Sequence, residues 1–316
     1  MIDPAEFNSS FSKKLPFMQL ALDSTSIGAY KTCPKYYQYS IIEGWQSKEL
    51  SPHLTFGLLL HAAREGYEKA KVAGLSHDDA IDQVLDFLLK ATWDRDLGRP
   101  WISQHNLKNR KTLIQTAIWY LDAKAKDDPL ETVILSNGKP AVELSFRFDT
   151  GIKVGGEAII ACGHLDRLAK LNEHVYVPDI KTSSSEVNAK WLSQFSPHNQ
   201  FSLYTVAGKV AFGFDVEGVI VDGIQVGVGF ARFQRHLVGR DESTLSEYMG
   251  TFADVVEEMT RSAERQHWRM NDKACDMYGG CAFRQVCAKS PASREPLLKL
   301  QFAKRVWDPL QIRGDI

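Results

Sequence analysis

The sequence predicts a mixed α/β fold: a central mixed β-sheet flanked by helices, with a helical insertion. Three observations predict it. Apolar residues recur at helical spacing through the first 126 positions or so; near residue 140 the period changes abruptly to two; and the remainder reads helix, strands, helix.

Each element follows from its own residues. A helix is expected over 25–39, with Ser24 or Ser26 as its N-cap, and a second over 56–72, whose apolar residues crowd one flank. Residues 76–126 read as two or three helices, the first carried by Ala80, Val84, Phe87, Leu88 and Ala91 at helical spacing. Asp127-Asp128-Pro129 closes this block, since proline cannot extend a helix. Ser136-Asn137-Gly138-Lys139 is a hairpin-turn signal. Val142, Leu144, Phe146 and Phe148 then alternate with Glu143, Ser145, Arg147 and Asp149, the pattern of a half-buried strand. Two more strands are expected over 157–171 and 175–181, joined at Asn172-Glu173. A helix over 198–212, strands over 216–226 and 228–237, and a long amphipathic helix over 242–266 follow, the last with Leu245, Phe252, Val256 and Met259 inward.

Bulk properties narrow the function. With 316 residues, 44% of them hydrophobic, the chain can bury a sizeable core. A net charge of −1 and a pI near 6.8 exclude a globally basic nucleic-acid-binding surface, so any such footprint is local. No run approaches the ~20 apolar residues that span a bilayer. Residues 1–20 are mixed and polar, without the apolar core of a signal peptide, so a cytoplasmic location with no membrane association is expected. Five cysteines are an odd number for a disulfide framework and point to metal or redox chemistry. No phosphate loop of the G-x-x-x-x-G-K-[ST] type is present, and Gly155-Gly156 falls in a turn, so nucleotide hydrolysis is unsupported.

The informative core is Gly163-His164-Leu165-Asp166 followed by Pro178-Asp179-Ile180-Lys181. Residues two apart on a strand share a face, so Asp179 and Lys181 project together while Ile180 enters the opposite layer. Asp166, on the partner strand of a hairpin, can reach the same end of the sheet. Two carboxylates converging there form a hard oxygen site suited to Mg²⁺ or Mn²⁺. A lysine beside them can orient a water and stabilise charge developing on a phosphate, while the ion polarises the phosphodiester. Val175, Tyr176 and Val177 make the strand buried, where charges are costly without a partner.

These motifs resemble the PD-(D/E)XK nucleases in their RecB-like, CRISPR-associated exonuclease branch, over most of the chain from residue 23 to 290. The resemblance implies a restriction-endonuclease-like core and a metal-dependent DNA nuclease, with exonuclease action on single strands or duplex ends. It assigns metal binding to Asp166, Asp179 and the main-chain carbonyl of Ile180, and the catalytic amine to Lys181. It further matches His61, in Gly57-Leu58-Leu59-Leu60-His61, to a metal ligand. Gln200 and Tyr204, in Gln200-Phe201-Ser202-Leu203-Tyr204, match residues that position the lysine or the DNA backbone. Four residues apart, this last pair shares one helical face. Glu65 and Glu143 read as surface or supporting groups.

Cys275, Cys281 and Cys287 lie in a compact late segment, and Cys33 lies far upstream. The resemblance implies that these four hold a [4Fe–4S] cluster in a domain formed by both termini. The late spacing here is x5 and x5 where the family commonly has x2 and x5, which leaves zinc open. Cys162, on an apolar strand, reads as a buried core thiol.

The expected organisation is an N-terminal segment (1–50) supplying one cluster cysteine, the first core helix (51–75), the helical insertion (76–130), the nuclease core (131–267), the cysteine segment (268–290) and a tail (291–316). Lys108, Arg110, Lys111, Arg232 and Arg235 are candidate phosphate contacts, and Trp93, Trp101 and Trp119 candidate stacking groups. Two other readings stay open. One is a DNA-binding or complex-forming subunit with a vestigial or partner-dependent site, acting with recombination or CRISPR-adaptation proteins. The other is a nuclease directed at RNA.

Overall fold

The computed structural model describes residues 10–48, 51–103, 105–305 and 307–311; of the polar N-terminal segment, residues 1–9 lie outside these. In chain order the elements begin with β1 (Ala21–Leu22), α1 (Ser24–Thr32), α2 (Pro34–Tyr37), β2 (Trp45–Ser47), α3 (Pro52–Val72), α4 (His77–Ala91), β3 (Trp93–Asp94) and β4 (Arg99–Pro100). Then come α5 (Arg110–Asp127), β5 (Leu130–Thr132), β6 (Val142–Val154), β7 (Glu157–Arg167), β8 (Ala169–Leu171) and β9 (His174–Ser183). The chain continues through α6 (Ala189–Ser193), α7 (Asn199–Phe212), β10 (Val216–Gly227), β11 (Phe230–Gly239) and α8 (Glu242–Glu264), and closes with α9 (Arg284–Cys287), α10 (Pro291–Gln301) and β12 (Phe302–Lys304). Two compact units result: Leu50–Leu144 with His164–Asp241, and Met1–Glu49 with Ser145–Gly163 and Glu242–Ile316.

The unit that contains Leu50–Leu144 is built on a five-stranded sheet in the order β11-β10-β9-β8-β5. β9 and β10 run parallel, and β10 turns back into β11. Parallel strands need a long crossover, which α7 provides. Helices α3, α4 and α5 cover one face through Phe56, Leu60, Val84, Leu88, Leu113 and Tyr120, which pack on Ile180, Ile224 and Val226. α7 lies against β10 so closely that a side chain at Gly208 would stand 2.3 Å from Val216 Cγ2. Ser76 caps α4 and Asn109 caps α5 by accepting the backbone N–H three residues on, each satisfying a donor the helix leaves unpaired.

In the other unit β1, β7 and β6 form a three-stranded sheet, β1 running parallel to β7. β2 pairs with β12, bringing Phe302 beside Ser47. Among the described residues no helix is long and apolar enough to cross a membrane.

Two expectations need correction. The helix expected over 25–39 is two helices, because the residue before a proline avoids helical backbone: Cys33 is extended at φ −163° and ψ 113°. Its N-cap is Asp23, which accepts the Ser26 N–H, and neither Ser24 nor Ser26. The strand expected over 157–171 divides at Leu168, whose N–H donates to Ala141 and whose carbonyl accepts from Val133. Of its two parts, β8 is the one that pairs with β9, so Asp166, on β7, is not on the hairpin partner of the Asp179 strand.

Candidate active site

Asp179 sits on β9 at 1% exposure, and Lys181 shares its face, with Nζ 2.8 Å from Asp179 Oδ2. Lys181 also donates to Gln200 Oε1 at 2.9 Å, and Gln200 Nε2 donates to the Tyr204 hydroxyl at 3.0 Å. Gln200 and Tyr204 are one turn apart on α7, so a single helix face aims the amine. Burial pushes the Asp179 carboxyl up; Lys181 opposes this, Asp166 adds to it, and His61 opposes it.

His61 comes from α3. Its Nδ1 lies 2.8 Å from Asp166 Oδ2 and its Nε2 lies 2.9 Å from the Ile180 carbonyl oxygen. Both partners only accept, so both ring nitrogens donate and the ring is an imidazolium. Burial alone would pull its pKa down, but the Asp166 charge and hydrogen bond, with Asp179, push it up to about 9. The site therefore draws positive charge to the point where two carboxylates and a carbonyl face one another. One locus thus holds His61, Asp166, Asp179, Ile180, Lys181, Gln200 and Tyr204.

A cleft of about 30 Å³ opens here, lined among others by His61, Glu65, Glu143, Asp166 and Ile180. Glu65 and Glu143, read from sequence as peripheral, thus face the site. Glu143 takes a left-handed conformation at φ 49°, which costs a non-glycine residue ~1–2 kcal/mol. Alternation along β6 gave no signal of this, because a strained residue breaks the very period that would reveal it.

A buried ionic frame backs the cleft. Arg64, three residues after His61, pairs with Glu68 at 2.5 Å, and Arg167, next to Asp166, reaches the same Glu68 oxygen at 3.4 Å. Asp222, opposite Ile180 in the sheet register, accepts from Tyr120, Lys124 and Arg235. Arg235, a candidate phosphate contact, is instead tied to Asp222 and Asp128. Lys108, another, is 1% exposed with Nζ 4.2 Å from the centre of the Phe56 ring, and burial lowers its pKa to about 8.

In the other unit, Cys33 caps α1, Cys275 lies in a 3₁₀ helix (Asp272–Gly279), and Cys281 and Cys287 pack against the apolar cluster that holds Tyr39 and Phe283. The Cys33 sulfur accepts the Asn271 N–H at 3.3 Å. Burial pushes the Cys281 thiol up, and so do Cys275 and Cys33; burial also pushes up Cys287, Arg294 opposes, and Cys281 and Cys33 add to the rise. Among the described residues, no three His, Cys, Asp or Glu side chains are disposed to hold one metal ion together, in either unit. Cys162 is buried at 1% exposure, as its apolar strand predicted.

The family model of the PD-(D/E)XK nuclease superfamily matches residues 24–288. The chain belongs to the PD-(D/E)XK nuclease superfamily. For this nuclease no curated relative matches. Among solved structures it is similar to a protein of Eubacterium rectale named "Putative exonuclease", with a TM-score of 0.52 at 11% identity, covering 94% of this chain and 98% of that one. That likeness concerns the fold alone. A second, to the protein SSO0001, has a TM-score of 0.36 at 14% identity over 85% of this chain and 87% of that one, and carries no argument.

Proposed function

We propose that this nuclease is a Mg²⁺- or Mn²⁺-dependent deoxyribonuclease, acting as an exonuclease in DNA recombination, repair or processing, with a RecB-like site. The observation that carries the reading is the arrangement around β9: a buried carboxylate, a lysine held at both sides, and a histidine protonated between a carboxylate and a carbonyl. Asp166, Asp179, the Ile180 carbonyl and His61 would hold the ion. Their donor set is hard oxygen with one imidazole, which suits Mg²⁺ or Mn²⁺. When bound, the ion polarises the phosphodiester and lowers the pKa of water. Lys181, fixed by Asp179 and Gln200, places its ammonium beside the reacting phosphate and steadies the charge that develops there. Tyr204 keeps Gln200 turned toward the lysine.

The same reading gives Cys33, Cys275, Cys281 and Cys287 a [4Fe–4S] cluster. The nearness of Cys33, far upstream, to the late segment supports it: its sulfur accepts the Asn271 N–H, and its charge acts on the Cys281 and Cys287 thiols. Side-chain rearrangement would be needed to bring four sulfurs onto one cluster, as it would to free His61 for a metal.

The test is digestion of end-labelled single- and double-stranded DNA, and of RNA, by anaerobically purified protein with Mg²⁺, Mn²⁺ or a chelator. Lys181→Ala protein runs in parallel. Metal-dependent loss of DNA ends that vanishes in the variant is expected. Intact DNA with both metals, despite measurable binding, would move the reading to a binding subunit whose site needs a partner.

A further inference from the structure

The unit that carries the cysteines holds an open surface pocket of about 200 Å³. Arg261, Arg265 and Arg269 line it with His267, and Tyr30 and Ser262 add hydroxyls; Glu258 is the acid among the lining residues.

Arginines at the C-terminal end of a helix are favoured by the helix dipole, which accounts for Arg261 in the last turn of α8 and Arg265 just past it. It does not account for His267 and Arg269. These lie past the helix, and the chain is turned back there by Gln266 in the left-handed conformation at φ 49°. The turn is closed by hydrogen bonds from Gln266 N–H to Ala263 and from His267 N–H to Ser262, a cap that usually takes glycine. Trp268 is buried at 4% exposure against Phe17, so its neighbours His267 and Arg269 stay at the pocket. The Arg269 carbonyl accepts the Lys35 N–H, and Asn271 Nδ2 donates to Thr32, which pins the segment further.

The backbone of the turn is thus fixed, and Arg261, Arg265, His267 and Arg269 stand exposed around the pocket. Two guanidiniums are partly neutralised, Arg261 by Glu257 at 2.7 Å and Arg269 by Glu258 at 3.0 Å. Arg265 has no acidic partner among the described residues. A rigid fork of guanidinium donors with hydroxyls beside it matches the oxygens of a phosphate.

We propose that this pocket binds backbone phosphates of a DNA strand, as a point of attachment additional to the hydrolytic site. The choice of DNA as the source of the phosphate rests on the function proposed above. The test is fluorescence anisotropy of a labelled single-stranded oligonucleotide with the full chain, in chelator to stop cleavage, across a series of NaCl concentrations. Each phosphate contact on a single strand contributes ~0.7 to the slope of log affinity against log salt. Arg261→Ala/Arg265→Ala should lower the slope by ~1–1.5 and weaken binding several-fold. Arg265→Lys, which keeps the charge, should restore most of the slope lost in Arg265→Ala. Cleavage of a small chromogenic phosphodiester, too short to span to the pocket, should be unchanged. An unaltered slope in the double variant would overturn the proposal. So would protection of the wild type, but not the double variant, by millimolar inorganic phosphate with no change in DNA affinity, which would mark a site for free phosphate. Loss of slope in a protein that cleaves no DNA with any metal would leave the attachment site standing and remove the hydrolytic reading alone.

Discussion

Replacing Asp222 by asparagine tests whether the ionic frame behind the active site stabilises the fold. The carboxylate is 6% exposed and meets four donors: Tyr120 Oη at 2.8 Å, Lys124 Nζ at 3.1 Å, and Arg235 Nε at 2.7 Å and Nη2 at 3.0 Å. Burial alone would raise its pKa, yet the Arg235 hydrogen bonds and the charges of Lys124 and Arg235 hold it down at about 2, against an ordinary 3.8. Nearly two units at ~1.4 kcal/mol each favour the ionised form in the folded state by ~2–3 kcal/mol. Asparagine keeps the shape, removes the charge and turns one acceptor into a donor facing other donors. Breaking one side of a buried ion pair costs ~3–5 kcal/mol, and the retained oxygen places this variant near the low end. At ~2–4 °C per kcal/mol for a unit the size of Leu50–Leu144 with His164–Asp241, Asp222→Asn should lower the melting of that unit by ~6–12 °C at pH 7, followed by circular dichroism. The pH dependence has a definite sign. A depressed carboxylate contributes its stability above the unfolded value of 3.8 and loses it as pH falls through about 2, so the gap between the proteins should close between roughly pH 4 and pH 2. Equal melting temperatures at pH 7, or a gap that persists at pH 2, would refute the reasoning.

Gly163→Ala should cost ~1–3 kcal/mol, read as a lower urea midpoint, because φ is 154° there and a new Cβ would stand 2.9 Å from the Phe146 ring. Gln200→Ala should lower kcat for DNA cleavage by ~10–100-fold with little change in KM, since it frees the Lys181 ammonium without removing it; an unchanged kcat would show that Asp179 alone positions the amine. Cys281→Ser should lose iron and the absorbance near 400 nm, and should cost solubility and DNA binding before it costs chemistry. Normal iron content in that variant counts against the ligand assignment.

What the sequence disclosed, and what it hid, follow physical lines. Alternation along β9 disclosed that Asp179 and Lys181 share a face, because strand geometry leaves no other choice. Helical spacing did the same for Gln200 and Tyr204 on α7. Ala80, Val84 and Leu88 declared the inward face of α4 for the same reason. Hidden features depend on partners distant in sequence. Leu168 breaks a continuous apolar run because Val133 and Ala141 compete for its peptide groups. Arg235 looks like a solvent-facing strand residue until Asp128, more than a hundred positions earlier, comes within 2.8 Å. Lys108 looks like a surface charge until the Phe56 ring lies beside its ammonium. The break at Cys33 was legible in principle, since Pro34 announces it.

The pairing of β2 with β12 has a consequence for how the protein is made. Trp45–Ser47 leaves the ribosome long before its strand partner, Phe302–Lys304. At ~5–20 residues per second, the intervening stretch takes tens of seconds to appear. Over that interval an unpaired strand edge and the Tyr39–Trp45 apolar surface wait for Phe283, Leu298 and Phe302. Nascent chains stalled before residue 302 should therefore be the species that chaperones engage, and that aggregate when chaperones are scarce.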